Sequence, residues 1–286
     1  MKVMKKPSFT KQIHLFPNAI TAFGLICGLF IIFKMALSDV SSQNFEALQG
    51  AAIFLLLAAT ADLLDGAVAR LMGAESEFGV FFDSVADSIT FGVAPSVIII
   101  KSMDLNSQFA FPLMITCMIF TLCGVLRLVR YSVQVQQCKD DEKLSNDHKN
   151  TFTGLPIPAA AAAAVSANLF LASEDCQKII PINLEERAVI LTVLMISLGY
   201  FMISRWKFPS LKALRIHIKA FPLIVSTVCT TALLLYGILN HFASVFVCVS
   251  WGYIVVAWSL SIIRLISGKK SNTLSEFEPA SDSFDQ

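Results

Sequence analysis

Long apolar runs follow one another along almost the whole chain, and short polar segments separate them. The runs fall near residues 17–37, 47–70, 80–100, 108–129, 155–173, 187–204, 221–239 and 243–265. A helix needs about 20 mostly apolar residues to cross a bilayer. The pattern therefore predicts an all-α, polytopic membrane protein with about eight transmembrane helices.

The composition narrows the class of protein further. Of the 286 residues, 55% are hydrophobic and only 15% are charged, whereas soluble domains carry about 25% charged residues. The net charge of +1 lacks the basic excess of a nucleic-acid-binding protein. The seven cysteines are odd in number and form no CxxC pair, so they indicate neither a disulfide framework nor a zinc site.

The ends differ from the apolar part of the chain. Residues 1–16 predict a cytoplasmic or interfacial segment that precedes the first span. Residues 267–286 are rich in serine and acidic residues and predict a disordered cytoplasmic tail. The membrane domain is therefore expected to cover residues 17–266.

The lysines and arginines predict the orientation in the membrane. With eight alternating spans and a cytoplasmic N-terminus, 18 of the 22 lie on the cytoplasmic side. Cytoplasmic loops carry such an excess of positive charge. Both termini are therefore expected on that side.

Four aspartates interrupt the second and third apolar runs. The charge-free stretches, residues 47–61 and 88–100, are each too short to cross a bilayer. The two helices must then include Asp62, Asp65, Asp83 and Asp87 near the cytoplasmic boundary. Ionisable residues in such a place are rare and mark functional sites. A single one of them also fits a helix cap or an ion pair with Arg70.

The spacing of these aspartates predicts that they meet. Asp62 and Asp65 share one helix face, as do Asp83 and Asp87. In an antiparallel hairpin that turns near residues 73–74, Asp65 faces Asp83 and Asp62 faces Asp87. Four carboxylates in a low-dielectric site need neutralising cations, and oxygen ligands suit Mg²⁺ or Mn²⁺. Two such ions would suit phosphoryl transfer.

Small and basic residues flank the aspartates. Gly66 and Gly79 leave room for a bulky ligand near the backbone, and Arg70 suits a phosphate group. The glycines fit close helix packing equally well.

The hairpin resembles the signature of a known family. Asp62-x-x-Asp65-Gly66-x-x-Ala69-Arg70 and Gly79-x-x-x-Asp83-x-x-x-Asp87 match the pattern of the CDP-alcohol phosphatidyltransferases at every fixed position. The resemblance implies a membrane enzyme that uses Mg²⁺ or Mn²⁺, attacks a CDP-linked lipid with an alcohol and releases CMP. It further implies a homodimer.

The same resemblance implies a role for each matching residue. Asp62, Asp65, Asp83 and Asp87 would bind metal, and Asp87 would also act as the catalytic base. Residues expected to shape the CDP-lipid pocket are Gly66, Ala69, Arg70 and Gly79, together with Asn18 and Thr21 near the start of the first span. Asn18 equally suits a helix cap. The active-site hairpin would comprise residues 47–100 of a transmembrane catalytic domain.

Three further stretches resemble the membrane-integral bacterial branch of the family that transfers to serine. They are residues 88–95, 123–131 and 152–160. This implies CDP-diacylglycerol and serine as substrates, among membrane lipids, in the inner membrane of a bacterium. Arg127 and Arg130 share one helix face and would hold the serine carboxylate or a lipid phosphate. Positive-inside anchoring explains these two arginines equally well.

Two other hypotheses remain at this point. The acceptor in the same chemistry could be glycerol 3-phosphate or inositol phosphate. The aspartates could instead form the relay of an ion- or proton-coupled transporter. Transporters of that kind often contain internal repeats, and residues 150–286 hold no second copy of the aspartate hairpin.

Overall fold

The computed structural model describes residues 15–37, 45–72, 77–103, 108–140, 152–204, 207–208 and 241–267. The helices are α1 (Leu15–Leu37), α2 (Phe45–Met72), α3 (Glu77–Asp87), a π-helix (Ser88–Val93), α4 (Ala94–Lys101), α5 (Ala110–Asp140), α6 (Ile157–Ala172), α7 (Glu174–Ile179), α8 (Leu184–Ile203) and α9 (Phe242–Ser267). Two short strands, β1 (Phe152–Thr153) and β2 (Lys207–Phe208), pair antiparallel. The chain is thus an almost wholly helical bundle in its described part.

Six helical segments are long and apolar enough to cross a membrane. They are Asn18–Leu37, Phe45–Ala69, Phe78–Lys101, Ala110–Val133, Leu184–Ile203 and Phe242–Ser259. The class of a polytopic helical membrane protein is confirmed, with six such spans in the described residues instead of the eight expected. The fifth expected span is α6, which has only 16 residues, and the seventh, at 221–239, lies outside the described residues. So do nearly all of the segments 1–16 and 267–286.

The short helix α6 lies at the centre of the bundle. It packs against α2, α4, the π-helix, α8 and α9. Ten of its residues are buried, and four of these are alanines from the run at residues 159–164. Small side chains let neighbouring backbones approach closely. The indole nitrogen of Trp251 on α9 donates a hydrogen bond to the carbonyl of Ala163, so α9 is fixed directly to this central helix.

The third span changes its helical pitch in the middle. Pro95 has no N–H to donate, and its ring would clash with the carbonyl four residues earlier in a regular α-helix. The chain forms a π-helix before it, and the N–H of Ala94 donates to the carbonyl of Ile89. The hydroxyls of Ser96 and Thr121 both donate to the carbonyl of Gly92. The span expected over residues 80–100 is thus helical throughout, but its pitch changes directly after Asp87.

A sharp bend leads into α6. Gly154 has φ +84°, and a side chain here would overlap the carbonyl oxygen of Met202. Glycine adopts this conformation without steric penalty. The N–H of Leu155 then donates to the carbonyl of Phe201. The entry to α6 is therefore fixed against the end of α8.

A buried polar cluster joins the helix ends at the opposite side of the bundle from the aspartates. Arg187 on α8 is 3% exposed, and its Nη2 lies 2.7 Å from Oδ1 of Asn168 on α6. Ser102 Oγ donates to the same Asn168 oxygen at 3.1 Å. The guanidinium charge is thus solvated by amide and carbonyl oxygens where α4, α6 and α8 meet.

Candidate active site

Three carboxylates from two helices converge. Asp62 lies on α2, and Asp83 and Asp87 lie on α3. One carboxylate oxygen from each can be chosen so that all three lie within 4.8 Å of one another. The i, i+4 spacing places the two α3 aspartates on one face, and the short connection between α2 and α3 brings Asp62 opposite them. This is a compact cluster of hard oxygen ligands.

The fourth aspartate lies beside this cluster but has a partner of its own. Asp65 is 5% exposed, and Thr21 Oγ1 on α1 donates a hydrogen bond of 2.5 Å to its Oδ2. The first helix therefore orients this carboxylate. The family resemblance implies that Thr21 lines the nucleotide pocket. In the structure, Thr21 lines a cleft beside the aspartates and also donates a hydrogen bond to Asp65.

The carboxylates open into a cleft between α1, α2, α3 and the π-helix. The cleft has about 200 Å³ of space, including the part open to solvent. It is lined by Thr21, Gly24, Leu25, Ala58, Asp62, Asp65, Asp83, Ala86, Asp87, Thr90 and Phe91. One end is acidic and the other is mainly apolar. A ligand that carries both phosphate groups and a lipid would match this division.

The donor set fits divalent metal ions. Asp83 Oδ1 is buried, and it has no hydrogen-bond partner among the described residues. A buried carboxylate oxygen that lacks a partner is energetically costly, and a bound cation would satisfy it. The surrounding ligands are all carboxylate oxygens, which Mg²⁺ and Mn²⁺ prefer.

Of the two arginines expected to bind the acceptor, Arg127 is related to the cluster by charge. It is half-buried on α5, and its charge interacts with Asp87, Tyr131 and Tyr253. Its buried Nε has no hydrogen-bond partner in the described part of the chain. Arg130 is also half-buried, but none of the described contacts joins it to the aspartates. Of these two arginines, Arg127 is therefore the one whose charge interacts with a carboxylate of the candidate site.

The remaining residues of the expected lipid pocket lie around the cleft. Asn18, Gly66, Ala69 and Gly79 are half-buried on α1, α2 and α3, and none of them is among the residues that line the cleft. Arg70 is in α2, but its side chain lies outside what the structure describes.

Sequence reasoning missed six residues of the cleft wall. They are Gly24, Leu25, Ala58, Ala86, Thr90 and Phe91. Helical spacing was the available signal for two of them, because Ala58 precedes Asp62 by one turn and Thr90 follows Asp87 by one turn. Thr90 belongs to the stretch 88–95, whose resemblance indicates the branch of the family but no role for this residue.

Comparisons with known proteins agree with this geometry. The model of the family described as CDP-alcohol phosphatidyltransferase matches residues 14–198. A Helicobacter pylori protein named CDP-diacylglycerol–serine O-phosphatidyltransferase is 29% identical over 261 residues, which is 91% of this chain and 98% of the relative. A protein of the same name from Methanocaldococcus jannaschii is 34% identical over 52% of this chain and 58% of its own length. Another, from Saccharomyces cerevisiae, is 41% identical over 40% of this chain and 39% of its own length.

The matched region covers α1 to α5, the central α6 and most of α8, and it includes every residue that lines the cleft. More than half of the chain, with the aspartate hairpin at its centre, is thus accounted for by one family model. This chain is a membrane-integral member of the CDP-alcohol phosphatidyltransferase family.

Proposed function

We propose that this protein transfers the phosphatidyl group of CDP-diacylglycerol to the hydroxyl of L-serine, giving phosphatidylserine and CMP. The observation that carries the proposal is the convergence of Asp62, Asp83 and Asp87 on the cleft, within the region matched by the family model. The names of the relatives support serine as the acceptor, above all the Helicobacter pylori protein, because it aligns over nearly its whole length.

Divalent metal ions, Mg²⁺ or Mn²⁺ and two in number, are proposed as cofactors. Asp62, Asp65, Asp83 and Asp87 would hold them. The unsatisfied Asp83 Oδ1 and the all-carboxylate donor set support this assignment. When bound, such ions supply positive charge that offsets the negative charge of the diphosphate and of the leaving group.

Asp87 acts as the general base. Its carboxylate accepts the proton of the serine hydroxyl, and the serine oxygen attacks the phosphorus that bears diacylglycerol. The bond between that phosphorus and the CMP oxygen breaks, and CMP leaves with the electron pair. Asp87 suits this role because its carboxylate lies in the cleft. Holding both substrates in line supplies a large part of the rate enhancement.

The basic and small residues around the cleft position the substrates. Arg127 and Arg130 bind the serine carboxylate, since a guanidinium matches a carboxylate with two parallel hydrogen bonds. Thr21 places Asp65. The residues proposed to shape the CDP part of the pocket are Asn18, Gly66, Ala69, Arg70 and Gly79.

We further propose that the protein is a homodimer in the inner membrane of a bacterium, with both termini and the cleft on the cytoplasmic side. The distribution of positive charge supports this orientation. Cytoplasmic serine and CDP-diacylglycerol would then reach the cleft from the same side.

An acceptor panel tests the reaction. Purified protein is given CDP-diacylglycerol with Mg²⁺ or Mn²⁺ and, in separate reactions, serine, glycerol 3-phosphate, inositol phosphate or inositol. CMP release with serine alone is expected. Release with another acceptor and not with serine would overturn the acceptor assignment. Ion flux through reconstituted protein without CMP release would support a transporter instead.

Direct metal binding tests the cofactor separately from turnover. Mn²⁺ binding to the metal-stripped protein, followed by electron paramagnetic resonance, should be weakened strongly by Asp62→Asn and Asp83→Asn. Glu174→Gln, which removes an exposed carboxylate on α7, serves as the matched control and should bind Mn²⁺ like the wild type. Equal Mn²⁺ binding by all of these variants would contradict the metal assignment.

A further inference from the structure

The hydroxyl of Thr90 is an unused polar group in the wall of the cleft. Thr90 is 2% exposed, and its Oγ1 is buried without a hydrogen-bond partner among the described residues. The other buried threonine hydroxyls named here have partners: Thr21 donates to Asp65, and Thr116 donates to the carbonyl of Leu113. Thr90 therefore differs from Thr21 and Thr116. Leaving a buried hydroxyl without a hydrogen bond is energetically unfavourable.

The hydroxyl of Thr90 lies close against the backbone of α1. Thr90 lies in the π-helix and not in one of the regular α-helices. On the facing helix α1, a Cβ at Gly28 would come within 2.5 Å of Thr90 Oγ1. Glycine at this position therefore lets the threonine approach α1. Single π-helical turns frequently occur at functional sites.

The position of Thr90 indicates which part of a ligand it meets. It follows Asp87 by one turn, toward the end of the cleft formed by Leu25, Ala58 and Phe91. The substrate of the proposed reaction is a diphosphate that carries a nucleoside on one side and a lipid on the other. Its lipid would lie at this apolar end, so the phosphate next to the lipid would lie between Asp87 and Thr90.

We propose that Thr90 is a positioning residue that donates its hydroxyl hydrogen to an oxygen of the lipid-bearing phosphate. This is the phosphate that the acceptor attacks. The hydrogen bond satisfies the buried hydroxyl and fixes the phosphorus beside Asp87. The inference rests on the proposed function, because it takes a nucleoside diphosphate lipid as the occupant of the cleft.

Two substitutions separate this role from simple packing. Thr90→Val keeps the shape of the side chain and removes the hydroxyl, whereas Thr90→Ser keeps the hydroxyl and removes the methyl group. Thr116→Val is the matched control, because Thr116 is a buried membrane-helix threonine whose hydroxyl bonds within its own helix. Unfolding temperatures of all variants show whether each is folded.

Equilibrium binding of CDP-diacylglycerol, without acceptor, is measured alongside kcat and KM. Thr90→Val should lower affinity for CDP-diacylglycerol and kcat/KM for this substrate roughly tenfold or more, as expected for a lost hydrogen bond to a charged group. The KM for serine should hardly change. Thr90→Ser should recover most of the loss, and Thr116→Val should match the wild type.

The opposite results overturn the inference. A Thr90→Val protein with wild-type affinity and kcat/KM would show that the hydroxyl serves no ligand, and equal losses in the valine and serine variants would show a packing role. If the wild type binds CDP-diacylglycerol but does not use serine, only the acceptor assignment fails, and the binding comparison still decides the role of Thr90. A wild type that does not bind CDP-diacylglycerol overturns both proposals.

Discussion

Thr21 on α1 donates a hydrogen bond of 2.5 Å to the carboxylate of Asp65 on α2. The contact spans 44 residues of sequence, and both side chains are buried. One oxygen of Asp65 is thus held by a neutral donor. Through this contact, the first helix of the bundle acts on the geometry of the aspartate cluster.

Loss of this hydrogen bond should weaken metal binding without unfolding the protein. Thr21→Val leaves Asp65 free to rotate, and loss of a partner that orients a metal ligand typically lowers metal affinity about 10- to 100-fold. Titration of activity with Mn²⁺, together with direct Mn²⁺ binding, measures the shift. Thr60→Val on α2 is the control, since the hydroxyl of Thr60 donates to the nearby carbonyl of Leu57 within its own helix. Unchanged Mn²⁺ affinity in Thr21→Val would show that the contact does not serve the metal site.

Replacement of the proposed base should stop turnover in a folded protein. Asp87→Asn keeps the size of the side chain but cannot accept the hydroxyl proton, and kcat should fall at least about 100-fold. CMP release under saturating substrates measures this, with the unfolding temperature as the check on folding. Asp175→Asn, at a carboxylate on α7 outside the cleft, should retain wild-type kcat. A folded Asp87→Asn enzyme with near-normal kcat would rule out the assignment of the base.

The contact between α1 and the π-helix should tolerate no added methyl group. In Gly28→Ala, the new Cβ would lie 2.9 Å from Thr90 Cα, and overpacking of this kind costs about 1–3 kcal/mol. Gly24→Ala, one turn earlier on α1, would make ordinary contacts at 3.7 Å, and Gly252→Ala on α9 would meet no described atom within 4 Å. Thermal unfolding in detergent should therefore show a lower midpoint for Gly28→Ala alone. Equal midpoints for the three variants would contradict the close approach.

A surface contact of α9 should lose its contribution to stability in acid. The Asp175 carboxylate lies 2.9 Å from His241 Nδ1 and accepts a hydrogen bond from Ser244 at 3.1 Å. These hydrogen bonds, helped by the charges of His241 and Lys178, hold the pKa of Asp175 below its usual value. Because the folded state favours the ionised carboxylate, the contribution is complete above the unfolded pKa of about 3.9 and is lost as pH falls through the lower folded pKa.

Asp175→Asn tests this pH dependence. Its unfolding temperature should lie slightly below that of the wild type at pH 7, and the difference should vanish in strong acid, below the folded pKa of Asp175. Unfolding curves from pH 7 down into the strong acid below that folded pKa provide the measurement, with Glu174→Gln as the neighbouring control. A difference of constant size over this range would show that ionisation of Asp175 contributes nothing.

The grouping of the aspartates could be predicted from the sequence because it depends on residues that are close together along the chain. Spacing of three or four residues fixes which carboxylates share a helix face, and a short connection fixes the register of two antiparallel helices. The structure brings Asp62, Asp83 and Asp87 together accordingly. The bond between Thr21 and Asp65 was not accessible in this way, because it depends on how α1 packs against α2.

Other features depend on responses that a hydropathy pattern does not contain. Pro95 is visible in the sequence. Whether a membrane helix kinks, breaks or forms a π-turn at a proline, however, depends on which hydrogen-bond donors lie nearby. Here Ser96 and Thr121 satisfy the carbonyl of Gly92. Likewise, the sequence alone suggests that Arg187 lies at the membrane surface. In the structure it is buried, because Asn168 on another helix accepts a hydrogen bond from its guanidinium.

The central position of α6 has a consequence for how the protein meets membranes of different thickness. At 16 residues, or roughly 24 Å at 1.5 Å per residue, this helix would be mismatched with a hydrocarbon core about 30 Å thick. Because other helices pack around it, its length is free from that constraint, and alanine can replace the larger apolar residues that lipid contact favours. A change in bilayer thickness is therefore expected to act on the outer helices and not on the entry to α6 or its contacts with the π-helix.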